Sequence, residues 1–94
     1  MEVIATKGFR KDLRKCPKHI QQKTGEIVAV LEASENLQKS GVDYTKMEGQ
    51  KKGENYYRIR VGEWRMGVEL KTPSIIILTI LPRGEIYKKF PPQK

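Results

Sequence analysis

Arginine is concentrated in one short segment of the chain, "YYRIRVGEWR", which spans residues 56–65. The segment alternates like a β-strand, reaches Gly62-Glu63 and alternates again, which is typical of two strands joined by a two-residue turn. A planar guanidinium binds phosphate through paired hydrogen bonds and stays protonated at physiological pH. The segment is therefore suited to holding a phosphodiester, provided that its arginines share one face.

The predicted turn decides which way these arginines point. With Gly62-Glu63 as its central residues, Val61 lies opposite Trp64 on the core side of the sheet. The period of two then places three arginines together on the other side: Arg58, Arg60 and Arg65. Because Arg60 lies directly opposite Arg65, the pairing costs up to ~1 kcal/mol.

Two interpretations of this arginine face remain open. Either Glu63 and Glu69 neutralise it as an ordinary solvated surface, or it is a cationic platform for an anion, with Gly67 leaving room beside the arginines. The next strand, "PSIIILTIL", has apolar residues at both parities, which predicts cover on both faces. If the chain stays extended beyond it, Arg83 and Tyr87 join the arginine face. There Tyr87 would stack on a base, move a proton or simply pack.

Length and charge bound the possible partners. Ninety-four residues predict a single domain, assigned here to residues 1–90 with a polar tail at 91–94. A formal net charge of +8 favours nucleic acid, an acidic protein or an anionic membrane. Membrane binding is the weakest of these, since the longest apolar run, residues 75–81, falls short of the roughly 20 that a spanning helix needs. The start shows no signal peptide and a single cysteine excludes an internal disulfide, so we predict a cytoplasmic protein.

The absence of certain residue clusters from the sequence limits the chemistry that an active site could use. No His, Cys, Asp or Glu cluster has metal-ligand spacing, so we expect no metal and no cofactor. The single histidine, His19, is expected on the surface, and Cys16 is expected to be a buried structural thiol. An active site would therefore be built from Arg, Lys and Tyr.

The remaining elements are expected to support the hairpin. "MEVIAT" predicts a short strand, and Thr6 is a suitable cap for a helix that Pro17 ends. A second helix follows to about residue 35, so the two form an antiparallel hairpin. Residues 38–55 show no clear period and predict a mobile connection. Its lysines form either a solvated loop face or an electrostatic arm for a polyanion: Lys46, Lys51 and Lys52.

These segments together resemble a known family. "YYRIRVGEWRMGVEL" and "IIILTILPRGEIYKKF", preceded by "KMEG", resemble the RelE toxins of the RelE/ParE superfamily, the toxic halves of bacterial and archaeal toxin–antitoxin pairs. The resemblance implies an α+β fold, with a helical hairpin packed on a small, mostly antiparallel sheet in the order β-α-α-β-β-β and a short C-terminal element. It also implies a metal-independent endoribonuclease that cuts messenger RNA, typically on the ribosome, with the RNA 2′-hydroxyl as nucleophile.

The resemblance also implies roles for individual residues. The family's catalytic positions fall on four residues: Arg60, Arg65, Arg83 and Tyr87. RNA binding is expected of Arg58 and of four lysines: Lys46, Lys51, Lys52 and Lys88. Pro82 stands where many relatives have His and Gly84 where many have a second basic residue, which leaves the general acid and base unassigned.

The implied partners are messenger RNA, the ribosome and a cognate acidic antitoxin, with which the toxin would form a hetero-oligomer. The antitoxin is expected to contact the helical hairpin, the arginine face and the tail from Lys88 onward. Two alternatives remain open at this point: a ParE-like inhibitor of DNA gyrase, and a non-catalytic module that binds RNA or the ribosome.

Overall fold

A computed structural model of the chain describes residues 1–91 and shows a mixed α+β architecture. Its strands are β1 (Glu2–Ala5), β2 (Tyr44–Lys46), β3 (Tyr56–Val61), β4 (Trp64–Lys71) and β5 (Ser74–Pro82). Its helices are α1 (Lys7–Arg14), α2 (Lys18–Ala33), α3 (Leu37–Ser40) and α4 (Arg83–Lys89). The strands form one sheet in the order β1-β5-β4-β3-β2. Only β1 and β5 pair in parallel, and the other neighbours are antiparallel, so the predicted fold class is confirmed.

The predicted register of the arginine-rich hairpin is confirmed. Val61 pairs with Trp64 across the turn, and Arg60 pairs with Arg65. Gly62 has a positive φ of 60°, which a side chain would strain and which the tight turn requires. The register therefore separates the arginines from the core side of the sheet, as the period of two requires.

The helical hairpin forms where the sequence predicts it. The hydroxyl oxygen of Thr6 accepts a hydrogen bond from the backbone N–H of Phe9 at 3.2 Å, which caps α1. Pro17 separates α1 from α2. The hairpin packs on one face of the sheet, and the main core lies between them. Its fully buried members include Leu31, Ile59, Met66 and Ile75, and Trp64 packs against it while only partly buried.

A second, smaller core lies on the opposite face of the sheet. Met47, Ile86 and Phe90 are buried there, and Tyr56, Leu78 and Leu81 pack against them. The expectation that the chain stays extended beyond β5 is wrong, because residues 83–89 form a helix. Ile86 and Phe90 are spaced by four residues, so burying this apolar stripe holds α4 down on the sheet.

The segment expected to be an irregular, mobile connection is also more ordered than predicted. Residues 38–55 contain the end of α3 and the edge strand β2, which pairs with β3. Strand β2 has only three residues, too few to show a period, and its pairing partner lies ten or more residues away. The predicted element order, β-α-α-β-β-β with a short C-terminal element, therefore lacks the short helix α3 and the strand β2.

The odd-numbered residues of β5 are expected on the arginine side with Arg83 and Tyr87, which is wrong for the first half of the strand and correct for the second. A β-bulge interrupts the pairing of β4 and β5 between Gly67 and Val68. Ile75 and Ile77 face the main core, but so does Ile80, which has the other parity. A bulge inserts one unpaired residue and so reverses the facing beyond it. Cover on both faces, which the continuous apolar run predicts, is confirmed.

None of the helices within residues 1–91 has the length and hydropathy needed to cross a membrane. Residues 92–94 of the predicted polar tail lie outside the described part of the chain.

Candidate functional site

A shallow groove runs between α4 and the end of β2, with an arginine and a tyrosine in contact on its wall. The guanidinium carbon of Arg58 lies 5.0 Å from the centroid of the Tyr87 ring, within cation–π range. Arg58 also donates a weak hydrogen bond to the sulfur of Met47 at 3.8 Å. The Tyr87 side chain is 57% exposed, so its second ring face and hydroxyl reach solvent. Helix α4 therefore brings together two of the predicted site residues, although it was expected to be extended.

Arg65 occupies a different environment from the other arginines. It is only 9% exposed, and its Nη1 donates to the backbone carbonyls of Gly62 and Trp64, both at 2.8 Å. These carbonyls belong to the turn of its own hairpin. A guanidinium has five N–H donors, so three remain after the two bonds of Nη1. No side-chain nitrogen of the described residues is both fully buried and without a hydrogen-bond partner, so the remaining Arg65 nitrogens are not completely enclosed.

Arg60 and Arg83 lie exposed near the same turn. The Arg60 side chain is 60% exposed, and its Nη1 lies 4.0 Å from the carboxylate of Asp43. The backbone N–H of Arg83 donates to the carbonyl of Glu63 at 2.9 Å, which fixes the start of α4 beside the turn. Tyr87 is four residues beyond Arg83 and so shares its side of α4. Arg83 and Tyr87 lie on one side as predicted, but they do so because of their helical spacing and not because of strand parity.

The expectation that Gly67 leaves room for an anion is wrong. An ideal Cβ on Gly67 would lie 2.8 Å from the Phe90 ring and 2.9 Å from the Thr79 methyl group. Phe90 fills that space from the far end of α4. The arginine face is therefore covered at its centre, and its accessible guanidinium groups lie at the margins of α4.

The predicted lysines do not gather at this groove. Lys46 pairs with Tyr57, whose ring packs against the main core, so Lys46 leaves β2 on the side away from Arg58. Lys51 and Lys52 are exposed in the connection before β3, at the opposite end of that strand from the turn beside Arg65. Lys88 is exposed on α4 and lies 3.9 Å from a Glu85 carboxylate oxygen.

One carboxylate at the groove was missed by the sequence reasoning. Glu48 lines the groove together with Met47, Arg58, Tyr87 and Phe90. It lies in a segment without a hydrophobic period, so only its place next to the apolar Met47 hinted that it borders the folded core. It is the type of group that can take a proton from a hydroxyl.

Two residues outside the groove behave as the sequence predicts. His19 is exposed at the start of α2, and Cys16 is buried in the main core. Burial raises the pKa of the Cys16 thiol above 9.0, and the nearby Asp12 charge adds to the effect. Burial also raises the pKa of Tyr56 above 10.0, with smaller effects from Glu69 and Glu54. Both groups are therefore neutral near pH 7.

Within residues 1–91, no three or more His, Cys, Asp and Glu side chains are grouped as a metal site would require. The potential ligands of the groove itself are the Arg58 guanidinium, the Tyr87 hydroxyl and the Glu48 carboxylate. Of these, the Arg58 guanidinium is the group that can stabilise an anion whose charge rises during a reaction.

Known proteins are similar to this chain in both sequence and fold. A family model for the ParE toxin of the type II toxin–antitoxin system parDE matches residues 3–87. The chain belongs to the RelE/ParE toxins of type II toxin–antitoxin systems. Toxin RelE3 of Methanocaldococcus jannaschii is 38% identical to this toxin over 91 residues, which cover 97% of this chain and 100% of the relative.

Solved structures of two RelE complexes resemble this toxin as well. The toxin is similar to a chain of the RelB–RelE antitoxin–toxin complex from Methanococcus jannaschii, with a TM-score of 0.77, 36% identity and coverage of 94% and 99% of the two chains. It is similar to a chain of the archaeal RelE–RelB complex from Pyrococcus horikoshii, with a TM-score of 0.69, 28% identity and coverage of 88% and 94%. The predicted resemblance is confirmed by sequence and by fold.

Proposed function

We propose that this toxin is an endoribonuclease that cleaves messenger RNA, with the RNA 2′-hydroxyl as nucleophile. The 2′-oxygen attacks the adjacent phosphorus, the bond from phosphorus to the 5′-oxygen breaks, and a 2′,3′-cyclic phosphate and a 5′-hydroxyl result. The proton of the 2′-hydroxyl passes to a base, and the leaving oxygen gains one. Support comes from membership of the RelE/ParE toxins and from the 38% identity to Toxin RelE3.

The observation that carries the proposal is the fixed guanidinium of Arg65. Its Nη1 is anchored by the carbonyls of Gly62 and Trp64, while its other donors have no partner among the described residues. A donor held in place before the reaction stabilises charge on phosphoryl oxygens without reorganising. Arg65 would therefore bind the non-bridging oxygens of the scissile phosphate.

The exposed Arg60 and Arg83 lie beside the same turn and would bind the flanking phosphates. Arg60 has only a 4.0 Å contact with Asp43, which is exposed and easily replaced by phosphate. Arg83 begins α4 and is exposed. Two such groups would fix the RNA backbone so that the 2′-hydroxyl attacks in line.

Arg58 and Tyr87 would act as a pair. Because Arg58 covers one face of the Tyr87 ring, a nucleobase would stack on the other face. Glu48 lines the same groove and would take the proton of the 2′-hydroxyl. Glu48 is thus our proposed base in a chain that has Pro82 and Gly84 where many relatives have His and a second basic residue.

We further propose that the toxin acts in the cytoplasm on ribosome-bound messenger RNA and is held by an acidic antitoxin. Two of the solved structures that are similar to this toxin are RelE chains in complex with RelB. A net charge of +8 favours an acidic partner and makes its association rate fall with salt.

Single-turnover cleavage of messenger RNA on programmed ribosomes tests the proposal. Arg65→Ala should lower the rate about 10²–10³-fold, as for loss of one transition-state donor. Lys23→Ala, an exposed cation on α2, should leave it unchanged. Parent-like cleavage by both Arg65→Ala and Arg83→Ala, or inhibition of DNA supercoiling with messenger RNA intact, would overturn the proposal.

A further inference from the structure

The positive charge of this toxin is concentrated far from the Arg65 turn in sequence. Residues 7–23 contain seven Lys and Arg but one Asp, a net charge of +6 out of +8 for the whole chain. Apart from Gly8, every exposed residue of α1 is a cation. These four residues form what is called here the outer face of α1: Lys7, Arg10, Lys11 and Arg14.

The outer face of α1 follows from helical spacing. Its members lie at positions i, i+3, i+4 and i+7 of one helix, so they share one side. Phe9 and Leu13 lie on the opposite side and pack into the main core. Seven residues of helix advance about 10 Å, so the face presents a row of cations instead of a single point charge.

Helix stability explains only part of this arrangement, because Lys11 and Arg14 lie in the last turn of α1 and favour its dipole whereas Lys7 and Arg10 do not. Like charges three or four residues apart repel, and the first turn of α1 has no acidic residue to favour its dipole. None of the four cations forms an ion pair within residues 1–91. In α4, by contrast, Glu85 lies 3.9 Å from Lys88 and 3.5 Å from Lys89. The one acid of α1, Asp12, accepts a hydrogen bond from Thr79 at 2.6 Å instead.

Topology keeps this row apart from the groove of Arg58 and Tyr87. Helix α1 lies along β5, where the Thr6 hydroxyl donates to the carbonyl of Ile77 at 2.8 Å. Arg58 is in β3, two strands farther across the sheet. An RNA strand in the groove would therefore leave the outer face of α1 free.

We propose that the outer face of α1 binds the phosphate backbone of a folded RNA, separate from the strand that the toxin cleaves. The exposed side of α1 offers no apolar or aromatic residue. A protein partner normally needs an apolar centre to its interface, and an unpaired base needs a ring to stack on. A row of lysines and arginines alone fits phosphates held in register by an RNA helix. The inference rests on the proposed action on RNA.

Salt-dependent binding of a short 2′-O-methyl RNA hairpin tests this face, because that RNA has no 2′-hydroxyl to be cleaved. We compare the Arg10→Gln, Lys11→Gln, Arg14→Gln triple variant with a control triple of equal charge. The control changes exposed lysines on other elements: Lys23→Gln, Lys39→Gln and Lys71→Gln. Fluorescence anisotropy between about 50 and 200 mM salt gives affinity and salt slope.

The slope of log K against log salt is negative, and the α1 triple should reduce its magnitude by about 2, since each lost phosphate contact removes roughly 0.7–0.9. The control triple should keep the parent's slope, and melting curves should show that both remain folded. Equal losses in the two triples would reduce the effect to net charge and overturn the proposal. So would an α1 triple that binds the hairpin like the parent but no longer binds polyglutamate, a result that would assign the face to an acidic protein.

The same variants separate this inference from the nuclease. If the α1 triple variant binds the hairpin normally and cleaves messenger RNA normally, the proposed role of the α1 surface is rejected and the nuclease proposal stands. If the parent protein binds the hairpin through α1 but leaves messenger RNA intact, the nuclease proposal is rejected. There would then be no cleaved RNA strand from which to distinguish the RNA bound by α1.

Discussion

The ring of Phe90 occupies the space that Gly67 leaves on the arginine face of the sheet. A Cβ at Gly67 would approach that ring to 2.8 Å. The contact joins the middle of β4 to the residue that follows α4, and it closes the smaller core over Met47 and Ile86. The accessible arginines are therefore confined to the edges of α4.

Gly67→Ala tests this packing. The added methyl group must displace Phe90 or the Thr79 methyl, so we expect unfolding free energy to fall by about 1–3 kcal/mol, as in other overpacked cores. Denaturant unfolding measures the change. Gly25→Ala is the matched control, because a Cβ there meets nothing within 4 Å in the middle of α2 and should stabilise by about 0.5–1 kcal/mol. A neutral Gly67→Ala would contradict the packing described here.

Tyr87 is tested by two substitutions that separate its ring from its hydroxyl. Tyr87→Phe keeps the ring under Arg58 and should bind and cleave RNA nearly as the parent does. Tyr87→Leu removes the ring on which a base would stack, worth about 1–3 kcal/mol per base, so RNA binding should weaken roughly 5- to 150-fold. Filter binding and single-turnover rates measure both effects. If Tyr87→Phe cleaves as slowly as Tyr87→Leu, the hydroxyl transfers a proton and the stacking role is wrong.

Glu48→Gln tests the proposed base. Loss of a positioned proton acceptor should slow single-turnover cleavage about 10²–10⁴-fold, while RNA binding stays equal or tightens because a negative charge is removed. Glu26→Gln removes the same charge from an exposed position on α2 and should change neither quantity. A parent-like rate for Glu48→Gln would show that Glu48 is not the base. The base would then be a group of the RNA, water or Tyr87.

The buried thiol of Cys16 makes stability fall at alkaline pH. Burial raises its pKa above 9.0, so the folded state keeps the proton longer than the unfolded state. The contribution is complete well below pH 9 and is lost as pH rises through 9 and toward the folded-state pKa. Melting temperatures from pH 7 to 10 should therefore fall more steeply for the parent than for Cys16→Ala. Parallel curves would show that Cys16 is not held in its neutral form by the fold.

The sequence by itself determined the local elements and the arginine hairpin. The Gly62-Glu63 turn and the alternation around it specify every pair from Tyr56–Glu69 to Val61–Trp64, because register follows from turn length and side-chain period. Thr6 and Pro17 likewise mark the ends of α1 through capping and loss of a backbone donor. Such signals act within a few residues, so they can be read without the fold.

Only the tertiary structure decided what covers the arginine face and which arginines stay accessible. Helix α4 folds back because Ile86 and Phe90 bury apolar surface against residues distant in sequence, and the bulge beside Gly67 turns Ile80 toward the main core. Arg65 is held by the backbone carbonyls of Gly62 and Trp64, and the alternation of side chains along a strand does not predict such bonds. Glu48 reaches the groove only because β2 pairs with β3. These are long-range contacts, whose energy depends on shape and burial and leaves no period in the sequence.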